Sequence, residues 1–328
     1  MAIGSGLGSS LGIISESTYG TYVAPTRFLR AKSYSIERVA QRQQGEGIAS
    51  GTFGPLASQY VETTNAATAT IDMDVQSTKM GALLQTLMGS GSFAQIGTST
   101  AYTATYTLAD TYGKSMTAQL GAPYRSGTVV AHTLTGGKVA SGSFSCDVGG
   151  ILGAKFDLDG KAFTTTQSLA SVSYSAANVF NFSQMSLKMG TYSSESSISG
   201  VRSVSISIER PHDVGDYTAG NSGSKSEPVL NGLANISVDI TADWLAKATF
   251  QDLAHSVTST SLVWEFVGTL IGSTNYETFR ITLPSVYFEP ATQGVPGVQE
   301  LTNSWKAVWR YDATNLPKIE VISTDTAV

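Results

Sequence analysis

A mainly β fold, made from two tandem copies of one module, is what the amino-acid sequence predicts. Three observations carry this. Runs with an apolar/polar period of two dominate the chain from Lys32 onward. Only two segments have the spacing of an amphipathic helix. The order strand, long polar loop, strand, helix and further strands occurs twice, about 165–172 residues apart, too long a period for a solenoid and fitting a doubled domain. The expected divisions are an N-terminal arm over residues 1–30, a first domain over 31–165 and a second over 166–328.

The arm is rich in Gly and Ser and then polar, with no sustained period, which reads as an extended or surface-lying segment. In the first domain Ser33–Glu37, Ile71–Val75, Ser143–Val148 and Lys155–Asp159 alternate as strands do. The last two runs flank Gly149-Gly150, a pair suited to positive φ, and so predict a hairpin. Phe144, Cys146 and Val148 share one face of it, as do Phe156 and Leu158. Thr78–Met88 places Met80, Leu83, Leu84 and Leu87 at helical spacing.

The second domain repeats the style. Ser203–Glu209 and Asn235–Ile240 read as strands. Trp305, Ala307, Trp309 and Tyr311 share a face against Lys306, Val308 and Arg310. Thr241–Ala254 reads as the second helix, with Trp244, Leu245, Ala248 and Leu253 on one side and Thr241 as N-cap. Ser35-Ile36-Glu37-Arg38 recurs as Ser207-Ile208-Glu209-Arg210. Ile71 to Val75 matches Ile236 to Ile240, and Leu84-Gln85-Thr86-Leu87 matches Phe250-Gln251-Asp252-Leu253. Long polar loops, 39–68 and 211–233, follow the first strand of each domain. Loops of such length are usually functional, and their matching positions suggest contact with a neighbouring subunit.

Composition narrows the function. The chain of 328 residues is 14% charged, against about 25% in an average soluble protein. Its formal net charge of −5 excludes a protein that grips nucleic acid by neutralising phosphates. With 14 Tyr, 12 Phe and 4 Trp it is not a disordered chain. A single cysteine, Cys146, rules out an intrachain disulfide and a cysteine-built metal site. No apolar run approaches the roughly 18 residues of a membrane span. Met1 to Gly6 lacks the basic start and apolar core of a secretory signal, so the chain is read as cytoplasmic when made.

No constellation for catalysis, cofactor or metal emerges, and the chain is read as a non-enzyme. His132, His212 and His255 lack metal spacing and read as surface or loop residues. Gly8-Ser9-Ser10-Leu11-Gly12 fits a nucleophile elbow only as a string, because no strand is expected before it or helix after it. Asp157-Leu158-Asp159-Gly160 lacks the rest of a calcium loop, which leaves both Asp residues on a polar strand face. Trp305 and Trp309 could form a carbohydrate platform, but their spacing favours the core. Cys146 reads as a small buried hydrophobe.

Three stretches resemble the tail tube proteins of long-tailed bacteriophages, specifically the larger, duplicated major tail proteins. They are Glu16-Ser17-Thr18-Tyr19-Gly20-Thr21 with Pro25-Thr26-Arg27-Phe28, then Gly137-Lys138-Val139 through Gly149-Gly150-Ile151-Leu152 to Phe156-x-Leu158-x-Gly160-Lys161, and Leu283-Pro284-Ser285-Val286 with Trp305 to Tyr311. The resemblance implies a β-sandwich or half-barrel flanked by one helix in each half. It also implies subunits closed into rings whose inner sheets join, with the rings stacked through a long loop and the arm. A duplicated subunit implies a trimer with pseudo-sixfold symmetry, a hexamer being the rival. The implied partners are the chain itself, the tape measure protein, the tail terminator and distal tail proteins, and double-stranded DNA in non-specific passage. The implied location is the phage tail, assembled in the host cytoplasm, with no membrane and no cofactor. A wall that lets DNA slide should be poor in Lys and Arg. The lumen-facing candidates are therefore Asp72, Asp74, Asp157, Asp159, Glu209 and Asp239. The alternative is a β-rich glycan-binding or surface-adhesion module of a phage or bacterium.

Overall fold

The computed structural model describes residues 4–48, 51–244, 246–272, 274–291, 294, 297–298 and 301–327. The chain is mainly β, with 52% of residues in strands and 7% in helices. Its first strands are β1 (Ser10–Glu16), β2 (Arg27–Leu29), β3 (Ala31–Gln44) and β4 (Tyr60–Asp74). Helix α1 (Gly81–Met88) precedes β5 (Ser92–Gln95), β6 (Tyr102–Thr107), β7 (Ser115–Pro123), β8 (Val129–Asp147), β9 (Gly153–Gly160) and β10 (Ala162–Thr164). Then come β11 (Met185–Gly190), β12 (Ser196–Ile198), β13 (Val201–Glu209), β14 (Asn235–Asp243), the short α2 (Gln251–Ala254), β15 (Thr260–Leu270), β16 (Tyr276–Phe288), β17 (Thr302–Trp309) and β18 (Lys318–Ser323).

All these strands belong to one antiparallel network. Eight lie side by side in the order β3-β4-β9-β8-β13-β14-β17-β16. The long strands β8 and β16 run on past this layer. The first half of β8 pairs with β7 and β10, and β7 pairs with β1. β16 pairs with β15 from Tyr276 to Val286 and with β18 from Thr278 to Thr282, and β15 pairs with β11. The connections of the early strands thus have counterparts later: β1–β2, β3–β4, β4–β9 and β8–β9 correspond to β11–β12, β13–β14, β14–β17 and β16–β17. The β5–β6 hairpin has no such counterpart and extends the later strands through β6–β18.

Period-two patterning explains the packing. The eight-strand layer points Ile71, Met73, Phe144, Cys146, Phe156, Leu158, Val204, Ile206, Val238, Ile240, Trp305 and Ala307 into a single buried core, and polar residues away from it. Phe144 meets Phe156 edge-on at 5.7 Å and Phe279 of β16 at 5.5 Å. The expected hairpin at Gly149-Gly150 is present, with Gly149 at φ 72° and Gly150 N donating to Asp147 O at 2.9 Å. Helix α1 forms where Leu83, Leu84 and Leu87 predict it, and all three are buried.

Three expectations are corrected. Residues 10–16 and 27–29 of the expected arm are strands. Leu11 and Ile13 are buried, and Glu16 ties the following turn down by accepting from Gly20 N, Ser115 Oγ, Thr117 Oγ1 and Gly136 N at 2.8–2.9 Å. The Glu16–Thr21 stretch is thus a structural anchor. The polar loop 39–68 is mostly a two-stranded ribbon, in which β3 and β4 stay paired out to Gln44–Tyr60. Exposure of both its faces removes the apolar alternation by which a strand is recognised. The second helix is only Gln251–Ala254, because Thr241 to Asp243 extend β14 against Ser304 to Thr302 of β17. Leu245, placed in that helix by spacing, lies outside the described residues.

Candidate functional site

The outward face of the eight-strand layer is polar from β3 to β14 and carries Val308 and Tyr287 on its last two strands. Residues directly opposed across an antiparallel pair project to one face. One complete row runs Ser33, Asp72, Lys155, Ser143, Ser207, Ser237, Val308, Tyr287. The row beside it runs Ser35, Thr70, Asp157, Ser141, Glu209, Asn235. On the other side Asp74, Gly153, Ser145, Ser205, Asp239 and Lys306 are in register. Asp159 sits one row further along, between Thr68 and Lys138. The structure therefore brings all six acidic candidates, from both ends of the sequence, onto one face.

Their surroundings differ. Asp74 pairs with Lys32 at 2.6 Å. Asp157 accepts from Thr70 Oγ1 at 3.1 Å and Ser141 Oγ at 3.0 Å. Glu209 accepts from Asn235 Nδ2 at 3.0 Å, and Asp239 faces Lys306 at 3.9 Å on an open surface. Glu37 and Asp147 lie on the same face and were not among the candidates. Asp147 is in phase with Ser143 and Ser145, so the signal for it was present in the alternation. Acidic side chains outnumber the lysines Lys32, Lys138, Lys155 and Lys306 on this face, and serine fills most of its centre.

Asp159 is the exception, because it is buried. Residues 211–233 lie over that end of the face and carry Lys225 to Asp159 and Glu227 to Lys138, the latter at 2.6 Å. Burial raises the Asp159 carboxyl above its ordinary range, opposed by Lys225. Burial lowers the Lys138 ammonium, opposed by Glu227. His212, expected at the surface, is only 7% exposed, and its Nε2 lies 2.9 Å from Thr111 Oγ1. Burial, then Lys138 and Arg210, push its imidazole down to about 4.

Two further features bear on assembly. Among the described residues, β3 is paired on one side only, with β4, and β16 beyond Val286 only with β17. The ribbon of β3 and β4 projects beyond the layer and ends in a loop where Ile48 and Phe53 are fully exposed. Trp305 and Trp309 point into the core, Trp305 stacked on Phe250 at 5.7 Å, so they form no surface platform. Among the described residues no group of three or more His, Cys, Asp or Glu is placed to hold a metal ion. No described helix is long and apolar enough to cross a membrane. Burial and then Asp147 push the Cys146 thiol up to about 11.

A family model described as phage tail tube protein matches residues 6–307. No curated protein matches the chain.

Proposed function

The chain belongs to the phage tail tube protein family, and from that premise we propose that copies of it close into rings, stack into a hollow tube around the tape measure protein, and conduct the genome across the polar face. The observation that carries this reading is the largely polar face that crosses both halves of the chain and ends in two open edges, the length of β3 and the last two residues of β16. Open edges are costly to leave exposed, and ring closure pairs them.

The joint between the halves supplies a template for the joint between copies. In the chain, β8 meets β13 with Ser143 opposite Ser207. Phe144 faces Ala154 as Phe288 faces Ala307, which makes Tyr287 the counterpart of Ser143. Ser33 is the counterpart of Ser207, because Ser33 pairs with Asp72 as Ser207 pairs with Ser237, and Ile71 to Val75 matches Ile236 to Ile240. Ser33 of one copy then lies opposite Tyr287 of the next.

Both halves carry the polar face, which favours a ring of three two-module subunits over six with one half outside. Strands spaced about 4.8 Å apart and tilted about 40° make a barrel of about 150 Å circumference and about 50 Å diameter from three copies, and twice that from six. The smaller barrel suits a single duplex. The ribbon, with Ile48 and Phe53 at its tip, is the element that reaches the next ring. The low Lys and Arg content of the face minimises phosphate contacts.

The test is an S33C/Y287C variant, examined by electron microscopy and by non-reducing gels after mild oxidation. Hollow tubes with covalent species that stop at three chains are expected. Species that stop at six overturn the trimer, and absence of cross-linking in well-formed tubes overturns the edge assignment.

A further inference from the structure

We propose that residues 211–233 act as a strap that fixes the base of the β3–β4 ribbon, locked by two buried ion pairs of opposite orientation, and able to release while the sheet stays folded. The strap departs from the end of β13 in the second half and lies on the first half. Lys225 of the strap meets Asp159 of β9, while Glu227 of the strap meets Lys138 of β8. Each element thus contributes one cation and one anion, which fixes both register and direction. Glu227 also accepts from Gly113 N at 2.6 Å. On the ribbon side Asn65 N donates to Gly223 O at 2.8 Å, and Asn65 bridges Ser224.

The strap is held by polar contacts. Pro228 is buried, but none of the strap's apolar side chains belongs to the main core cluster. Val214 and Val229 are half exposed and Leu233 almost wholly so. A segment whose buried apolar contact is confined to Pro228, and which has its own internal hydrogen bonds, such as Asp213 N to Val229 O and Ser226 N to Asp216 O, opens as a unit at lower cost than the strands beneath it. The ion pairs are the fastening, and removing one partner strands a buried charge. Gly223 supplies the close approach: it has φ +75°, and a Cβ there would stand 2.7 Å from Thr63 O of the ribbon. Release of the strap frees the ribbon base at Thr63 to Asn65. If the ribbon joins successive rings, a clause that rests on the tube reading, the strap sets the angle at which it is presented.

The experiment is hydrogen–deuterium exchange on the full chain, comparing the native sequence with Glu227→Gln and Gly223→Ala. Glu227→Gln weakens one lock, whereas Gly223→Ala leaves both ion-pair partners intact and pushes the strap from the ribbon. Exchange at least tenfold faster over residues 211–233 and at Asn65 is expected in both, with β13 and β14 unchanged. Unchanged exchange in the strap of both variants overturns the proposal, and so does an equal rise throughout β13 and β14. Electron micrographs of the same samples read the tube separately. Faster strap exchange with no tubes from the native chain supports the strap and overturns the tube reading. Tubes from the native chain with unaltered strap exchange in both variants do the reverse.

Discussion

His212 is neutral in the fold because three influences act in one direction. Burial comes first, and the positive charges of Lys138 and Arg210 add to it, while Asp110 opposes them. The folded imidazole is pushed down to about 4 from its ordinary 6.5, so between those values the unfolded chain binds a proton that the folded chain does not. Its contribution is fully present above pH 6.5 and is lost as pH falls towards 4. About 3 kcal/mol of stability should disappear across that window if this residue acts alone. Urea unfolding measured from pH 7.5 to 4 should show this acid limb. The variant His212→Gln, whose amide can still bond to Thr111, should flatten it. An equally steep limb in the variant would assign the acid sensitivity to other groups. Nothing in the sequence around His212 announces its burial. Its neighbours in space, Thr111, Lys138 and Arg210, come from three separate segments, and only the folded sheet brings them together.

The ribbon and α1 show what a sequence pattern can and cannot reveal about an element. Helix α1 and seven strands of the eight-strand layer were legible because each has one apolar and one polar side: Leu83, Leu84 and Leu87 in the helix, Phe156 and Leu158 against Asp157 and Asp159 in β9. β16 was not, because it is buried on both faces along most of its length. The outer part of the ribbon has no buried side. Val39 to Gln44 and Tyr60 to Thr63 hold their strand form by pairing alone and therefore read as loop. The false extension of the second helix has the opposite cause. Trp244, Ala248 and Leu253 do have helical spacing, but Thr241 and Ala242 gain backbone partners in β17 that local spacing cannot announce. The exposed tip gives this element its own prediction. Ile48→Asp with Phe53→Asp removes no buried contact, so the unfolding midpoint should shift by less than about 0.5 kcal/mol equivalent. Stacking should nevertheless fail, leaving separate rings in electron micrographs. Tubes of normal length from this double variant would show that the tip is not the axial contact.

At the scale of the whole molecule, charge and surface relief act together along the polar face. The acidic candidates are spread over β4, β9, β13 and β14, separated by Ser143, Ser207, Ser205 and Ser237, whose short side chains offer a duplex little to catch on. Phosphate contacts are made by cations and grow weaker as salt rises, whereas an acidic wall repels the duplex over roughly 10 Å at 0.1 M salt. Asp157 and Asp239 are the informative pair to change. They occupy different halves, and neither contributes to the apolar core. Asp157→Lys with Asp239→Lys replaces two anions by two cations in every copy, so a ring of any size gains a band of phosphate-binding groups. Tubes should still form, because both positions lie on inner strands, away from the ring edges and the core. Genome release from virions carrying the variant should be slow in low salt and recover towards the native rate as salt is raised, since each added cation–phosphate contact steepens the salt dependence. Release at the native rate in low salt would place these residues outside the channel, and the polar face would then need another occupant.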